Sequence, residues 1–568
     1  MSDLVAHKKS NKNLGMAILL FSPVLVAVLL MLPRLVQPNF GLFDDGRTLV
    51  LSRDINQGLW DLSWDFAAGR FRPVYWLFYA LVYRLSGMHP LGYFLANTLI
   101  LVGISLALIA LARLMGLSRF QAWAAGMIFV LSGPVIENFY TLSKAEPLQL
   151  LAISLGLIFA ILTTHAKRRL WKILLLVGCV FSFLLAYLVK ETTLVVIPIS
   201  AVWVVFAWLR SWRSKKSAGI LPRLVILGSS GLAGVVFFIA RKLAIPVSLT
   251  GGSYSEQYSF TLERIMASTV RWSGWLIRDF AFLAPLVLGL IILWFIRRRR
   301  LGIDNGPYTP LAFQHSPLLL DALIWMVAWI AVYLPWVFMQ EYYALPFSAG
   351  ASLGAGLVLG WLGDSFRSKP TVQKATMGII LGIAALLWLV TFPTNLSNAR
   401  IQVAVDDANA RMLTDLAKNS PLNSTVLVNI QVANEYVEQM ALYYLPRIYS
   451  RPDLTTVAYQ SQPLGVGDEF YKPDVILAVP HVENQPLLAV RMGLYESTQK
   501  TWNQALLVQM TSTWKMSTSI RNQFPLLMVD IPRIFCPLIR TRSFCAIPSP
   551  LVDQRVFSYG WDLYQIQP

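Results

Sequence analysis

The 568-residue chain is poor in charge and in cysteine. Only 14% of its residues are Asp, Glu, Lys or Arg, against about a quarter in ordinary soluble domains. That shortfall excludes a water-soluble globule and points to lipid. Three cysteines are too few for a disulfide scaffold. Cys179 lies within an apolar run, and Cys536 with Cys545 is a disulfide candidate if the C-terminal part is exported. The five histidines are scattered and the cysteines lack ligand spacing, so no metal site is specified. A divalent ion held by Asp44 or Asp45 stays open as an alternative. No cleavable signal peptide is expected: residues 1–13 are polar and basic, and the apolar run 14–32 has no small-residue cleavage site. It reads as a retained anchor.

What is abundant is apolar: 56% of residues are hydrophobic. The net charge of +18 does not imply nucleic acid, because the basic residues form short clusters between apolar runs rather than a groove. A helix needs about 20 apolar residues to cross the hydrocarbon core. Eleven runs qualify within a few residues: 14–33, 91–112, 120–136, 145–164, 171–189, 192–209, 221–240, 272–296, 318–339, 344–362 and 375–393. With the N-terminus in the cytoplasm, Arg113 and Arg119, Lys167 to Lys172, Arg210 to Lys216, residues 297–300 and Arg367 to Lys374 all fall on the cytoplasmic side. The absence of sorting signals and an exported C-terminal part fit a plasma (inner) membrane.

The segment 72–87 is apolar but only about 16 residues long. If it spanned, every later loop would change sides. It reads instead as a helix in or on the outer surface, and Tyr75, Trp76, Phe78, Tyr79 and Tyr83 suit an interface. A first external loop, 34–90, results. After residue 393 the character changes. An amphipathic helix is expected at 404–417, strands at 424–430 and 474–479, and a helix at 434–444. The expected division is a transmembrane catalytic part, 1–393, and an extracytoplasmic α/β domain, 394–568, with no glycine-rich phosphate loop and no nucleophile motif. Tyr559, Trp561 and Tyr564 read as packing aromatics.

Ionisable residues at membrane depth are functional candidates, and several gather on the outer face. Asp44 and Asp45 sit in GLFDDGR, flanked by Gly41 and Gly46. A partly desolvated carboxylate there can take a proton from an acceptor hydroxyl, although an acidic pair in a solvated turn is the plainer reading. Glu137 ends the run 120–136, shortly after Pro134, where it can instead cap a turn or pair with Lys144. Lys190 and Glu191 sit between two apolar runs. Lys190 suits a phosphate and Glu191 suits local structure, or both are merely a charged hairpin tip. Arg72 and Arg47 offer the planar fork that binds phosphate oxygens, or contact lipid head groups. Glu341, Tyr342 and Tyr343 form another external turn.

In this order the residues resemble the GT-C superfamily of membrane glycosyltransferases, which includes protein O-mannosyltransferases, aminoarabinose transferases and tetratricopeptide-repeat O-mannosyltransferases. The resembling stretches are FDDGR (43–47), FRPVYW (71–76) with Gly87, His89 and Pro90, GPVIENFY (133–140), YLVKETTLVVIP (187–198) and QEYYALP (340–346). They span residues 14 to 350, and the C-terminal part carries no tetratricopeptide pattern. The resemblance implies a GT-C module of about eleven transmembrane helices with a cavity under the first external loop. It implies inverting transfer of a sugar from a polyprenyl-phosphate donor. The acceptor is a protein, lipid or glycan. Asp44 or Asp45 would be the general base. Arg72, Lys190 and Arg47 would neutralise the leaving phosphate. Glu137, Glu191, Glu341 and Tyr343 would shape the site. Two departures stand out: Tyr342 replaces an arginine common in relatives, and a histidine-rich signature in the second span is reduced to Asn97. A transporter or flippase of a polyprenyl-linked glycan is the rival, but it would need charges near mid-bilayer, and these are almost absent. A mere membrane anchor would not need eleven spans.

Overall fold

The computed structural model describes residues 20–42, 44–61, 63–214, 219–245, 258–301, 316–337, 340–367, 371–429, 434–459, 475–483, 507–512, 516–518 and 557–566. Cys536 and Cys545 lie outside the described residues. In chain order the helices are α1 (Leu20–Val36), α2 (Asp45–Asn56), α3 (Ser63–Ala67), α4 (Pro73–Ser86), α5 (Pro90–Leu114), α6 (Arg119–Val130), α7 (Gly133–Phe139), α8 (Glu146–His165), α9 (Arg169–Val189), α10 (Val196–Ser214), α11 (Ile220–Ala244), α12 (Leu262–Phe280), α13 (Leu283–Leu301), α14 (Ser316–Tyr333), α15 (Leu345–Arg367), α16 (Thr371–Asn419) and α17 (Asn434–Gln439). Among the described residues, six helices are long and apolar enough to cross a membrane, or eight if each of two bent pairs counts as one span. The chain is an integral membrane protein. Outward-facing Leu99, Val177, Phe181, Leu232, Ile239 and Leu386 are exposed, as lipid-facing residues must be. The inner faces pack around Phe183, Tyr187, Phe237, Trp272, Trp329 and Tyr333.

Local signals explain several boundaries. Proline in the first turn opens α4, α5, α7 and α8, where its missing N–H costs nothing. Ser118 and Gln121 form a reciprocal capping box at the start of α6.

The count of eleven uninterrupted spans needs correction in three places. The run 120–136 is two helices, α6 and α7, meeting at 55°. Ser132 and Pro134 begin the second helix there. The run 272–296 is likewise broken, with α12 and α13 meeting at 83°, and α12 starts at Leu262, within the stretch expected as a loop. The final run does not end near 393, because α16 is a single 49-residue helix. Backbone hydrogen bonds within a helix are indifferent to whether lipid or water lies outside. A change in side-chain polarity therefore did not stop it. Thr391, Asn395, Gln402, Asp406 and Asn409 are buried along α16 at spacings of three, four and seven, which places them on one face. Asn395 donates to the Leu131 carbonyl at 3.3 Å, in the break between α6 and α7.

Beyond α16 the chain forms a six-stranded mixed sheet in the order β2-β1-β3-β6-β4, with β5 also on β6. Its strands are β1 (Thr425–Asn429), β2 (Thr455–Tyr459), β3 (Val475–Glu483), β4 (Leu507–Ser512), β5 (Met516–Thr518) and β6 (Phe557–Ile566). β1 is parallel to β2 and β3, and β6 is antiparallel to β3, β4 and β5. The C-terminal half of α16 covers the sheet: Val405, Met412 and Leu416 pack with Val426, Val428, Ile476 and Trp561. Trp561 is fully buried and donates to Asn409 Oδ1 at 2.9 Å, so it is a packing residue. One helix thus joins the membrane bundle to the sheet, and a π-helical segment, Met440–Ile448, reaches back from the sheet to the first external loop.

Candidate active site

The site is built where helices start or stop at one end of the bundle. Asp44 caps α2 with φ of 64°, a left-handed conformation that aspartate tolerates better than most residues. This turn lets Asp45 point inward. Asp44 is 33% exposed and accepts from Arg47 Nη2 at 3.0 Å, whereas Asp45 is 4% exposed. Asp45 Oδ2 accepts the Gly41 N–H at 2.7 Å, and Oδ1 accepts the Ser143 hydroxyl at 3.3 Å.

The C-terminal part grips this loop. Tyr444 donates its hydroxyl to the Gly41 carbonyl at 2.7 Å, and the Arg47 N–H donates to Gln439 Oε1 at 3.0 Å. A Cβ at Gly46 would lie 2.6 Å from the Tyr444 ring, so only glycine permits the approach.

Asp45, Glu137, Lys144, Tyr342, Gln402 and Asp406 line one small cavity. Burial pushes the Asp45 carboxyl up to about 7; the neighbouring Asp406 charge adds to the rise, while the Gly41 N–H, Arg34 and Lys144 oppose it. Asp406 is itself raised by burial and held back by Arg34 and Gln402. Arg34, at the end of α1, forms a buried ion pair with Asp406 and donates to the Tyr140 carbonyl at 2.9 Å. Tyr79, whose hydroxyl accepts the Ser143 N–H at 2.9 Å, is kept in its neutral form by burial; so is Tyr444.

The other expected residues surround this cavity in pairs. Lys190 forms a buried ion pair with Glu146 and sits 4.5 Å from the Tyr343 ring centroid, a cation–π distance. Burial pushes the Lys190 ammonium down to about 8; Glu146 opposes the fall and Arg72 adds to it. Arg72 Nε donates to Glu191 Oε2 at 3.0 Å, and Glu191 Oε1 accepts the Phe71 N–H at 2.8 Å. Glu191 thus fixes the start of α4. Lys144 stacks 4.1 Å from the Tyr342 ring centroid. Glu341 pairs with Arg278, which also pairs with Asp279. A Cβ on Gly133 would meet Asp279 at 2.5 Å, and Asn138 donates to the Tyr342 carbonyl at 3.0 Å. The stretches 133–140 and 340–346 are therefore locked together. Asn97 donates to the Phe139 and Thr141 carbonyls at 3.3 Å, steadying the turn that carries Lys144.

The structure thus brings Asp45, Glu137 and Tyr342 to one cavity and places Lys190, Tyr343, Arg72, Glu191 and Glu341 in the pairs around it. Sequence reasoning missed Arg34, Lys144, Glu146, Arg278, Gln402 and Asp406 as site residues. Asp406 carried one signal, an acidic residue on the buried stripe of α16. Among the described residues, no group of three His, Cys, Asp or Glu is placed to hold a metal ion.

No protein-family model matches the chain, and no curated protein matches it significantly. Its fold is similar to solved structures at low identity. ArnT from Cupriavidus metallidurans bound to undecaprenyl phosphate aligns with 86% of this chain and 96% of its own, at 15% identity and a TM-score of 0.44. The archaeal oligosaccharyltransferase AglB from Archaeoglobus fulgidus, in complex with an inhibitory peptide and a dolichol-phosphate, aligns with 76% of this chain at 13% identity and a TM-score of 0.47. The chain spans 64% of that protein.

Proposed function

We propose that this protein is an inverting membrane glycosyltransferase of the GT-C type that moves a sugar from a polyprenyl-phosphate donor to an acceptor hydroxyl. The observation that carries this reading is Asp45: a buried carboxyl, poised to exchange its proton near neutral pH, on the wall of a cavity shared with Lys144 and Tyr342. A general base works best when its proton affinity lies near the operating pH. The five sequence stretches that resemble the superfamily supply the substrate class.

The chemistry follows from the charges. The acceptor O–H gives its proton to Asp45 while its oxygen attacks the anomeric carbon. The bond from that carbon to the phosphate oxygen breaks, and the lipid phosphate leaves with the electron pair. Lys144 faces the cavity and meets the growing negative charge, with Arg72 and Lys190 behind it. Cations fixed where charge develops contribute heavily to rate. Glu146 and Glu191 hold those two cations in place, and Glu137 and Tyr342 orient the sugar. Asp45 suits the base better than Asp44, which is more exposed and engaged with Arg47. No step requires a metal.

The basic clusters at Arg113, Arg119, Lys167, Arg168 and Arg169 lie at the opposite helix ends from the site. That arrangement supports a cytoplasmic N-terminus, an outward-facing site in the plasma membrane, and an extracytoplasmic sheet. Residues 1–393 then form the catalytic part and 394–568 a partner that grips the catalytic loop. Membranes carrying wild type, Asp44→Asn or Asp45→Asn, supplied with radiolabelled polyprenyl-phosphate sugars, test the reading. Transfer by wild type and by Asp44→Asn, lost in Asp45→Asn at equal protein level, is expected. Undiminished transfer by Asp45→Asn would overturn it.

A further inference from the structure

At the end of the bundle opposite the candidate site, the helices part around an apolar chamber of about 270 Å³. The 20-residue α8 measures the separation. Glu146 begins it at the site and His165 ends it at the chamber, and about 1.5 Å per residue gives about 30 Å between them. The chamber therefore belongs to the other membrane half. Its wall is mostly leucine: Leu108 and Leu111 of α5, Leu150 and Leu157 of α8, Leu318 of α14 and Leu353 of α15 all contribute. Among its described lining residues the ionisable groups are His165, Arg223 and Asp321. Arg223 and Asp321 pair with each other, and Arg223 also donates to the Gly219 carbonyl. They sit in the opening turns of α11 and α14, so the interior is left to hydrocarbon.

We propose that this chamber is a lipid site, occupied by an acyl chain of an anionic phospholipid from the leaflet opposite the candidate active site. Three observations converge on that occupant. A leucine-lined void does not hold water, and even one of about 150 Å³ takes up an apolar guest. Left empty, a void of this size would forfeit stability on the scale of a whole domain's net margin. The surrounding medium at this depth is acyl chain. Finally, the exposed basic residues Arg113, Arg119, Lys167, Arg168, Arg169 and Arg210 lie in sequence beside the lining segments. They offer an anionic head group at the same surface its attraction. The proposal is independent of the transferase reading.

The test uses the full chain in nanodiscs doped with an anionic phospholipid carrying a diazirine near the end of one acyl chain. After irradiation, labelled peptides are mapped. Label is expected at α8 around Leu157 and at α15 around Leu353, above that at the lipid-facing Leu232 and Leu386. Leu353→Trp, which fills the chamber, should lower the label on α8 several-fold and leave the lipid-facing label unchanged. Leu157→Phe serves the same purpose, read on α15, if the larger substitution does not fold. Chamber peptides labelled no more than lipid-facing ones, or labelled equally after filling, would overturn the site. Preferential labelling by a polyprenyl-phosphate diazirine probe would overturn the phospholipid assignment.

Discussion

Replacing Asp45 by asparagine removes a carboxyl that the fold prefers to keep protonated. In the unfolded chain it titrates at its ordinary 3.8, and in the folded chain burial and Asp406 carry it to about 7. The folded state thus holds the proton across the interval between those values. Its contribution to stability is full below 3.8, where both states are protonated, and is lost as pH rises through about 7. At about 1.4 kcal/mol per unit, the loss amounts to about 4 kcal/mol once the folded carboxyl has ionised. The amide carries no charge and its oxygen can still accept the Gly41 N–H. Asp45→Asn should therefore be near neutral in stability at about pH 4 and stabilising by up to about 4 kcal/mol at about pH 8. The assay is thermal unfolding of purified protein, followed by the fluorescence of its 19 tryptophans across that pH range. The midpoint gap between variant and wild type should widen with pH and level off above neutrality. A gap independent of pH, or one that narrows as pH rises, would refute the reasoning.

Two further outcomes follow from buried pairs and close approaches. Glu146→Gln leaves the Lys190 ammonium buried without its counter-charge, which should cost about 3–5 kcal/mol; Glu146→Gln combined with Lys190→Met should recover most of the thermal midpoint. Gly133→Ala drives a methyl against the Asp279 carboxylate, which lies 2.5 Å from the Cβ position. Overpacking of this kind costs about 1–3 kcal/mol, visible as a lower midpoint, with transfer falling further because Arg278 and Glu341 are displaced together.

Much of the candidate site was legible because short motifs fall at the ends of apolar runs. Once the runs alternate across a membrane, Asp45, Glu137, Lys190 and Tyr343 must share one face, whatever the helix packing. What pairs with them was not legible. Arg34 and Asp406 are 372 residues apart and meet only because α1 and α16 pack side by side. Glu146 looked like the first residue of a span, and nothing local marked it as the partner of Lys190. The breaks in 120–136 and 272–296 escaped because a bent pair and a straight span have the same hydropathy. The continuation of α16 past residue 393 escaped for the converse reason: hydropathy changes there while the helix does not. That continuation is what delivers Asp406 and Gln402 to the cavity and makes the C-terminal part a structural component of the catalytic loop.

The most direct test of Asp45 as a base tuned by that helix is the pH dependence of transfer by purified wild type and Asp406→Asn with one active donor. In wild type the rate should climb roughly tenfold per pH unit below neutrality and flatten near the value where Asp45 ionises. Removing the Asp406 charge should move that limb to lower pH, since its like charge is one of the two causes that raise Asp45. A limb at the same pH in both proteins, or a profile flat in wild type from pH 5 to 8, would contradict it.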